Sequence, residues 1–190
     1  MASNPILTEI RNPLHGQRVS LRCPEEGDGV AVYEAVVESL QELRRWPASL
    51  PWVVHEPSRA ASEEYCRRSK SEFVLRLRLP YLVVDRETEM LIGCMGVNRI
   101  DWKVPRFEIG FWCRTSCHGQ GLMADALTTL ISYLKTAHGA RRLECQTDFE
   151  NARARALCER AGMTHEATQR NERAAPDGQL RHNVIYSITD

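Results

Sequence analysis

The stretch from residue 107 to 123 constrains this chain more than any other. Phe107-Glu108-Ile109-Gly110-Phe111-Trp112-Cys113 reads as a strand. After Arg114-Thr115-Ser116-Cys117, the run His118-Gly119-Gln120-Gly121-Leu122-Met123 opens a segment whose apolar residues, Met123, Leu127, Leu130, Ile131 and Leu134, recur at helical spacing. A strand therefore becomes a helix across a turn that holds Gly119 and Gly121, and Gly139 is placed to close the helix in a left-handed conformation. The first N–H groups of a helix lack internal partners and sit at the positive end of its dipole, so such a turn attracts an anion. Glycines there let the backbone approach a phosphate closely, although two glycines before a helix are equally ordinary turn chemistry. No Lys-Ser/Thr pair follows them and the three-glycine dinucleotide fingerprint is incomplete, which sets aside nucleotide hydrolases and dehydrogenases.

What remains is a diphosphate-bearing ligand whose reactive part lies elsewhere, and coenzyme A is one. Around the turn, the pattern predicts a mixed α/β chain. Gln17 to Cys23 alternates as a strand ended by Pro24, Glu25 to Trp46 has helical spacing, and Pro57-Ser58 opens a second helix expected to run to about Pro80. Tyr81–Val84 and Met90–Val97 form a hairpin around the polar Asp85–Glu89, and Arg141–Thr147 is a further strand. Asn151 caps a short helix stopped by Gly162; strands over Met163–Arg170 and His182–Ile188 flank the Pro176-Asp177-Gly178 turn. No linker or repeat divides the chain, so residues 1–190 are expected to form one domain, with 1–16 as an irregular extension.

Lys plus Arg and Asp plus Glu both total 25, so there is no basic surplus to hold nucleic acid or an anionic membrane surface. No apolar run approaches the roughly 20 residues of a membrane span, and the opening lacks a signal-peptide core, which points to a cytoplasmic protein. The 7 cysteines are scattered singly, as expected of reduced thiols. Cys113, Cys117 and His118 have no second closely spaced ligand pair after them, so no metal is expected.

Taken together, Glu108-Ile109-Gly110-Phe111-Trp112, the turn His118 to Met123, and Asn151 to Gly162-Met163 resemble the RimJ/RimL branch of the GNAT acetyltransferases. Leu91-Ile92-Gly93 and Asn98-Arg99-Ile100 are also family-like, and the likeness, strongest to RimL-like members, covers most of Gln17 to Ile188. The family's glycine-turn pattern falls here on His118, Gly121 and Met123, of which the central glycine matches strictly. The resemblance implies a central mixed, mostly antiparallel sheet of about seven strands flanked by about four helices. It implies acetyl-CoA as cosubstrate, no metal, and a V-shaped opening between two central strands. Pantetheine would pair with the backbone around Trp112 and Cys113, and pyrophosphate would sit on the N–H groups of His118, Gly119, Gln120, Gly121, Leu122 and Met123, with Asn151 beside the pantetheine. The acceptor it implies is the N-terminal amine of a protein, of ribosomal-protein type, and a homodimer is suggested as well.

Amine acetylation requires the ammonium to lose a proton and the departing thiolate to be stabilised. Strand alternation puts Glu108, Gly110 and Trp112 on one face, and Glu108 matches the family's general base. Among apolar neighbours its pKa would be raised, which suits proton acceptance near neutral pH; otherwise it is a structural charge. For the acid, the positions of the family's usual tyrosine and serine hold Cys158 and Ala154. Cys158 is therefore the candidate donor, set against a plain core role. Trp46 and Trp52 bracket a proline-rich bend where the family shapes its acceptor site, or else they simply pack under a loop. Two other functions compete: acetylation of a small amine such as an antibiotic, polyamine or amino acid derivative, and a catalytically impaired coenzyme-A-binding regulatory module.

Overall fold

The computed structural model describes residues 4–189. The strands are β1 (Leu14–His15), β2 (Val19–Arg22), β3 (Leu79–Asp85), β4 (Leu91–Asp101), β5 (Arg106–Cys113), β6 (Arg142–Asp148), β7 (Thr164–Ala174) and β8 (Leu180–Thr189). The helices are α1 (Gly29–Leu43), α2 (Arg59–Val74), α3 (Leu122–His138) and α4 (Ala152–Arg160), with short 3-10 turns at Pro5–Leu7, Pro51–Val54 and Thr115–Cys117. All strands join one 8-stranded sheet in the order β1-β2-β3-β4-β5-β6-β8-β7. Every pairing is antiparallel except β5 with β6, and that exception places the site.

Local chemistry explains most boundaries. Ser58 caps α2 by accepting from the Ala61 N–H, and Asn151 caps α4 by accepting from the Ala154 N–H at 3.1 Å. Gly139 ends α3 in the left-handed conformation. Helix α2 stops earlier than its spacing suggests: Arg76 takes a left-handed φ of 58° and its guanidinium donates to the carbonyls of Phe73 and Thr8, which releases the chain into β3. The N-terminal stretch is less irregular than expected, because Leu14–His15 pairs with Leu21 and Ser20 of β2. The Asp125 carboxylate, in the first turn of α3, fixes that hairpin by accepting from the N–H groups of Gln17, Arg18 and Val19.

One sheet face packs under α3 and α4, with Val19, Leu21, Tyr81, Phe107, Ile109 and Leu127 all buried there. Helices α1 and α2 cover the opposite face over β3 and β4, where Val32, Ala35, Cys66, Leu82 and Cys94 form a smaller core. On β6 and β8 the residues of that opposite face are mostly polar, including Glu144, Gln146, Asn183 and Ser187, with Ile185 among them. Among the described residues, no helix is long and apolar enough to cross a membrane.

Candidate functional site

Strands β5 and β6 pair only over Arg106↔Arg142, Phe107↔Leu143 and Glu108↔Glu144. Past Glu108 they part, while β5 stays paired to β4 as far as Gly93↔Cys113 and β6 stays paired to β8. The edge of β5 from Ile109 to Cys113 that faces β6 therefore has backbone groups without a sheet partner, which is the opening expected for a ligand that bonds like a strand. The far end of β5 is tightly held: a Cβ at Gly93 would lie 2.2 Å from the Trp112 carbonyl oxygen, and the Arg114 N–H donates to Ile92 O at 2.7 Å.

The opening leads into a cavity of about 1290 Å³. That exceeds the roughly 300–1,000 Å³ of a typical small-ligand site and leaves room for two reactants. At one end lie Cys113, His118, Gly119, Gly121, Met123 and Asn151. Gly119 and Gly121 both have left-handed φ, 75° and 80°, and open space where a side chain would be. Gly121 is itself the N-cap of α3, with no side chain bonding the helix start, so the first N–H groups of α3 point outward unblocked. The backbone thus fits a phosphate group by its shape as well as its dipole.

Not every side chain of this turn contributes. Gln120 folds back to donate to Ser116 O at 2.8 Å, and Leu122 is buried in the core, so both can serve only through the backbone. His118 bridges the turn and the strand. Its Nε2 lies 3.2 Å from Cys113 O and its Nδ1 lies 3.3 Å from the Arg153 guanidinium. A carbonyl only accepts and a guanidinium only donates, so the proton is on Nε2. Cys113 is half-buried and burial pushes its thiol up to about 12, so it is no ready nucleophile.

Glu108 sits where the strands part. Its side chain is 16% exposed and accepts from Gln146 Nε2 at 3.2 Å, and Arg99 lies 3.1 Å away. The expectation of apolar neighbours is corrected here: β6 contributes Gln146, and the Asn98↔Glu108 register brings in Arg99. Burial still raises the carboxyl's pKa, and Glu144 adds to the rise, against Arg99, Arg173 and Arg106, which lower it. Gln146 is held in turn, accepting from Arg173 at 3.1 Å and from Asn183 at 3.2 Å, so its amide N–H₂ is turned toward Glu108.

Trp46 and Trp52 both line the cavity wall, and the Trp52 ring leans on Trp112 at 6.1 Å between centroids. Cys158 is 0% exposed, packed with the main core beside Cys145, and absent from the cavity lining, whereas Ala154 and Leu157 of the same helix do face the cavity. The side chains that sequence reading missed are Arg78, Arg99, Gln146, Arg153 and Arg173. Only the Asn98-Arg99-Ile100 run gave any signal; Gln146 and Arg173 reach the site through strand pairings remote in sequence, Arg78 from the residue before β3 and Arg153 from the first turn of α4.

An acetyltransferase (GNAT) domain family matches residues 18–164. The ribosomal-protein-serine acetyltransferase of Escherichia coli (strain K12) is 28% identical over 168 residues, covering 84% of this chain and 91% of that protein. Among solved structures, RimL, a ribosomal-protein α-N-acetyltransferase in complex with coenzyme A, superposes with a TM-score of 0.84 at 19% identity, over 94% of this chain and 98% of that one. Mycobacterium smegmatis RimJ in complex with CoA-disulfide gives 0.81 at 21% identity, over 97% and 88%. The family match spans the parted strands, the glycine turn and the asparagine-capped helix alike, and the chain belongs to the GNAT acetyltransferase family.

Proposed function

We propose that the protein transfers the acetyl group of acetyl-CoA to a primary amine, the N-terminal amine of a protein, with Glu108 as general base. The observation that carries the reading is a half-buried carboxyl of raised pKa at the point where β5 leaves β6, within the same cavity as the glycine turn. The N–H groups from His118 to Met123 would hold the pyrophosphate, the free edge of β5 at Trp112 and Cys113 the pantetheine, and Asn151 would flank it. Bound acetyl-CoA supplies the acetyl as a thioester. Glu108 takes the proton from the acceptor ammonium, directly or through water, while Gln146 keeps its carboxylate aimed into the cavity. Trp46 and Trp52 wall the acceptor end.

No side chain is assigned to protonate the departing thiolate. Cys158 is walled off from the cavity, and coenzyme A's thiolate is a good leaving group that collects its proton from water. The likeness to a ribosomal-protein-serine acetyltransferase over 91% of that protein supports an N-terminal amine as acceptor. The continuous sheet supports reading the chain as one domain. Incubation with acetyl-CoA and peptides beginning with Ser or Thr, beside aminoglycosides and polyamines, tests the proposal by thiol release and mass spectrometry. Acetylation of the peptide α-amine is expected; acetylation confined to the small amines refutes the N-terminal reading.

A further inference from the structure

Arg99 is placed in an unusual way. It lies at the register shift of β4 between Asn98 and Asp101, with a φ of 44°, a left-handed conformation that non-glycine residues rarely adopt. Such conformations persist where the surrounding structure imposes them, and they cluster at sites of function. This one sends the guanidinium into the cavity, 3.1 Å from Glu108, although Arg99 itself is 66% exposed and free to swing.

The neighbouring arginines have carboxylates of their own. Arg78 pairs with Glu72 at 3.1 Å, Arg173 with Glu172 at 2.8 Å and Arg106 with Glu144 at 3.2 Å. Arg99 is paired with the very carboxylate that has to receive the acceptor's proton. One consequence follows if Glu108 is the base: an incoming ammonium competes with Arg99, a like charge, for Glu108.

A carboxylate on the acceptor relieves this competition, because it draws the guanidinium off Glu108 as the ammonium arrives and stays with it after proton transfer. The planar fork of arginine suits such a partner. Resting on the reading of Glu108 as base, we propose that Arg99 is a specificity-determining residue that selects acceptors carrying a carboxylate close to the reacting amine. The carboxylate can come from an acidic side chain near a peptide N-terminus or from the α-carboxylate of a free amino acid.

The test compares kcat/KM for C-terminally amidated peptides beginning Ser-Glu, Ser-Gln and Ser-Lys, and for free glutamate, with the parent, Arg99→Gln and Arg99→Glu. The parent should favour Ser-Glu over Ser-Gln by about tenfold, the scale of one hydrogen-bonded charge. Arg99→Gln should erase the preference, and Arg99→Glu should turn it toward Ser-Lys. The ratios are read within each variant, so a general loss of rate does not disguise the result. Equal use of the peptides by the parent overturns this inference and leaves the N-terminal reading intact. Acetylation of free glutamate alone, with the same dependence on Arg99, upholds the inference and overturns the peptide acceptor. Acetylation of none of these acceptors overturns both.

Discussion

Replacing Glu108 with glutamine separates catalysis from stability in opposite directions. The amide keeps the size of the carboxyl and an oxygen that can accept from Gln146 and Arg99, so the cavity should keep its shape and acetyl-CoA its affinity. What is lost is proton acceptance, which is worth about 10²–10⁴ in rate, or about 3–5 kcal/mol in the barrier. The loss should depend on pH in a defined way. An α-amine has a pKa of about 7.7–8.0, so below that range the free amine falls about tenfold per pH unit. The variant should follow that slope, whereas the parent, able to deprotonate a bound ammonium, should fall less steeply. Stability runs the other way. Burial raises the Glu108 pKa in the fold, so its contribution is fully present below the unfolded value and is lost as pH rises through the folded one. Glutamine carries no such penalty, and Glu108→Gln should melt no lower than the parent at pH 8 while losing its relative advantage near pH 4. Steady-state rates from pH 6 to 9, with thermal melts from pH 4 to 8, measure both. If the two rate profiles run parallel, or the variant is as active as the parent throughout, Glu108 is a structural charge and the proton has another route.

Gly121→Val should strongly weaken acetyl-CoA binding by calorimetry, because a branched side chain would occupy the open space over the α3 N-terminus and resist a φ of 80°, while His118→Ala should do less; unchanged affinity in a folded Gly121→Val removes the phosphate site. Cys158→Ser should stay within about tenfold of parental turnover, which is less than about 1.4 kcal/mol in the barrier. It should also lower the melting temperature by placing a hydroxyl in the core; a hundredfold loss at intact stability and affinity would make Cys158 the acid. Arg181→Met should cost about 3–5 kcal/mol in urea denaturation, since it leaves a buried carboxylate without its ion-pair partner, with the Glu150 N–H still donating to it at 2.9 Å. Asp148 is 3% exposed and held by Arg181 at 2.8 Å; a loss within experimental error would show that the pair contributes little to joining β6 and β8.

The features legible in the sequence are those that a few neighbouring residues decide. The strand-to-helix switch at Gly119 and Gly121, the closing of α3 by Gly139, the capping of α4 by Asn151 and the alternation that puts Glu108 and Trp112 on one face of β5 all follow from backbone conformations and periodicities local to each segment. The end of α2 and the pairing of Leu14–His15 were not legible, because one depends on Arg76 reaching Thr8 and the other on Asp125 of α3 holding the turn at residues 17–19. The environment of Glu108 is the clearest case. Its sequence neighbours Phe107 and Ile109 are apolar, yet its spatial neighbours are Arg99 from β4 and Gln146 from β6. Which side chains meet there is set by the strand register and by the point at which β5 and β6 part, and both are properties of the assembled sheet. The same holds for Cys158, whose place on α4 was plain from the sequence but whose exclusion from the cavity depends on how that helix sits against β6, β7 and β8.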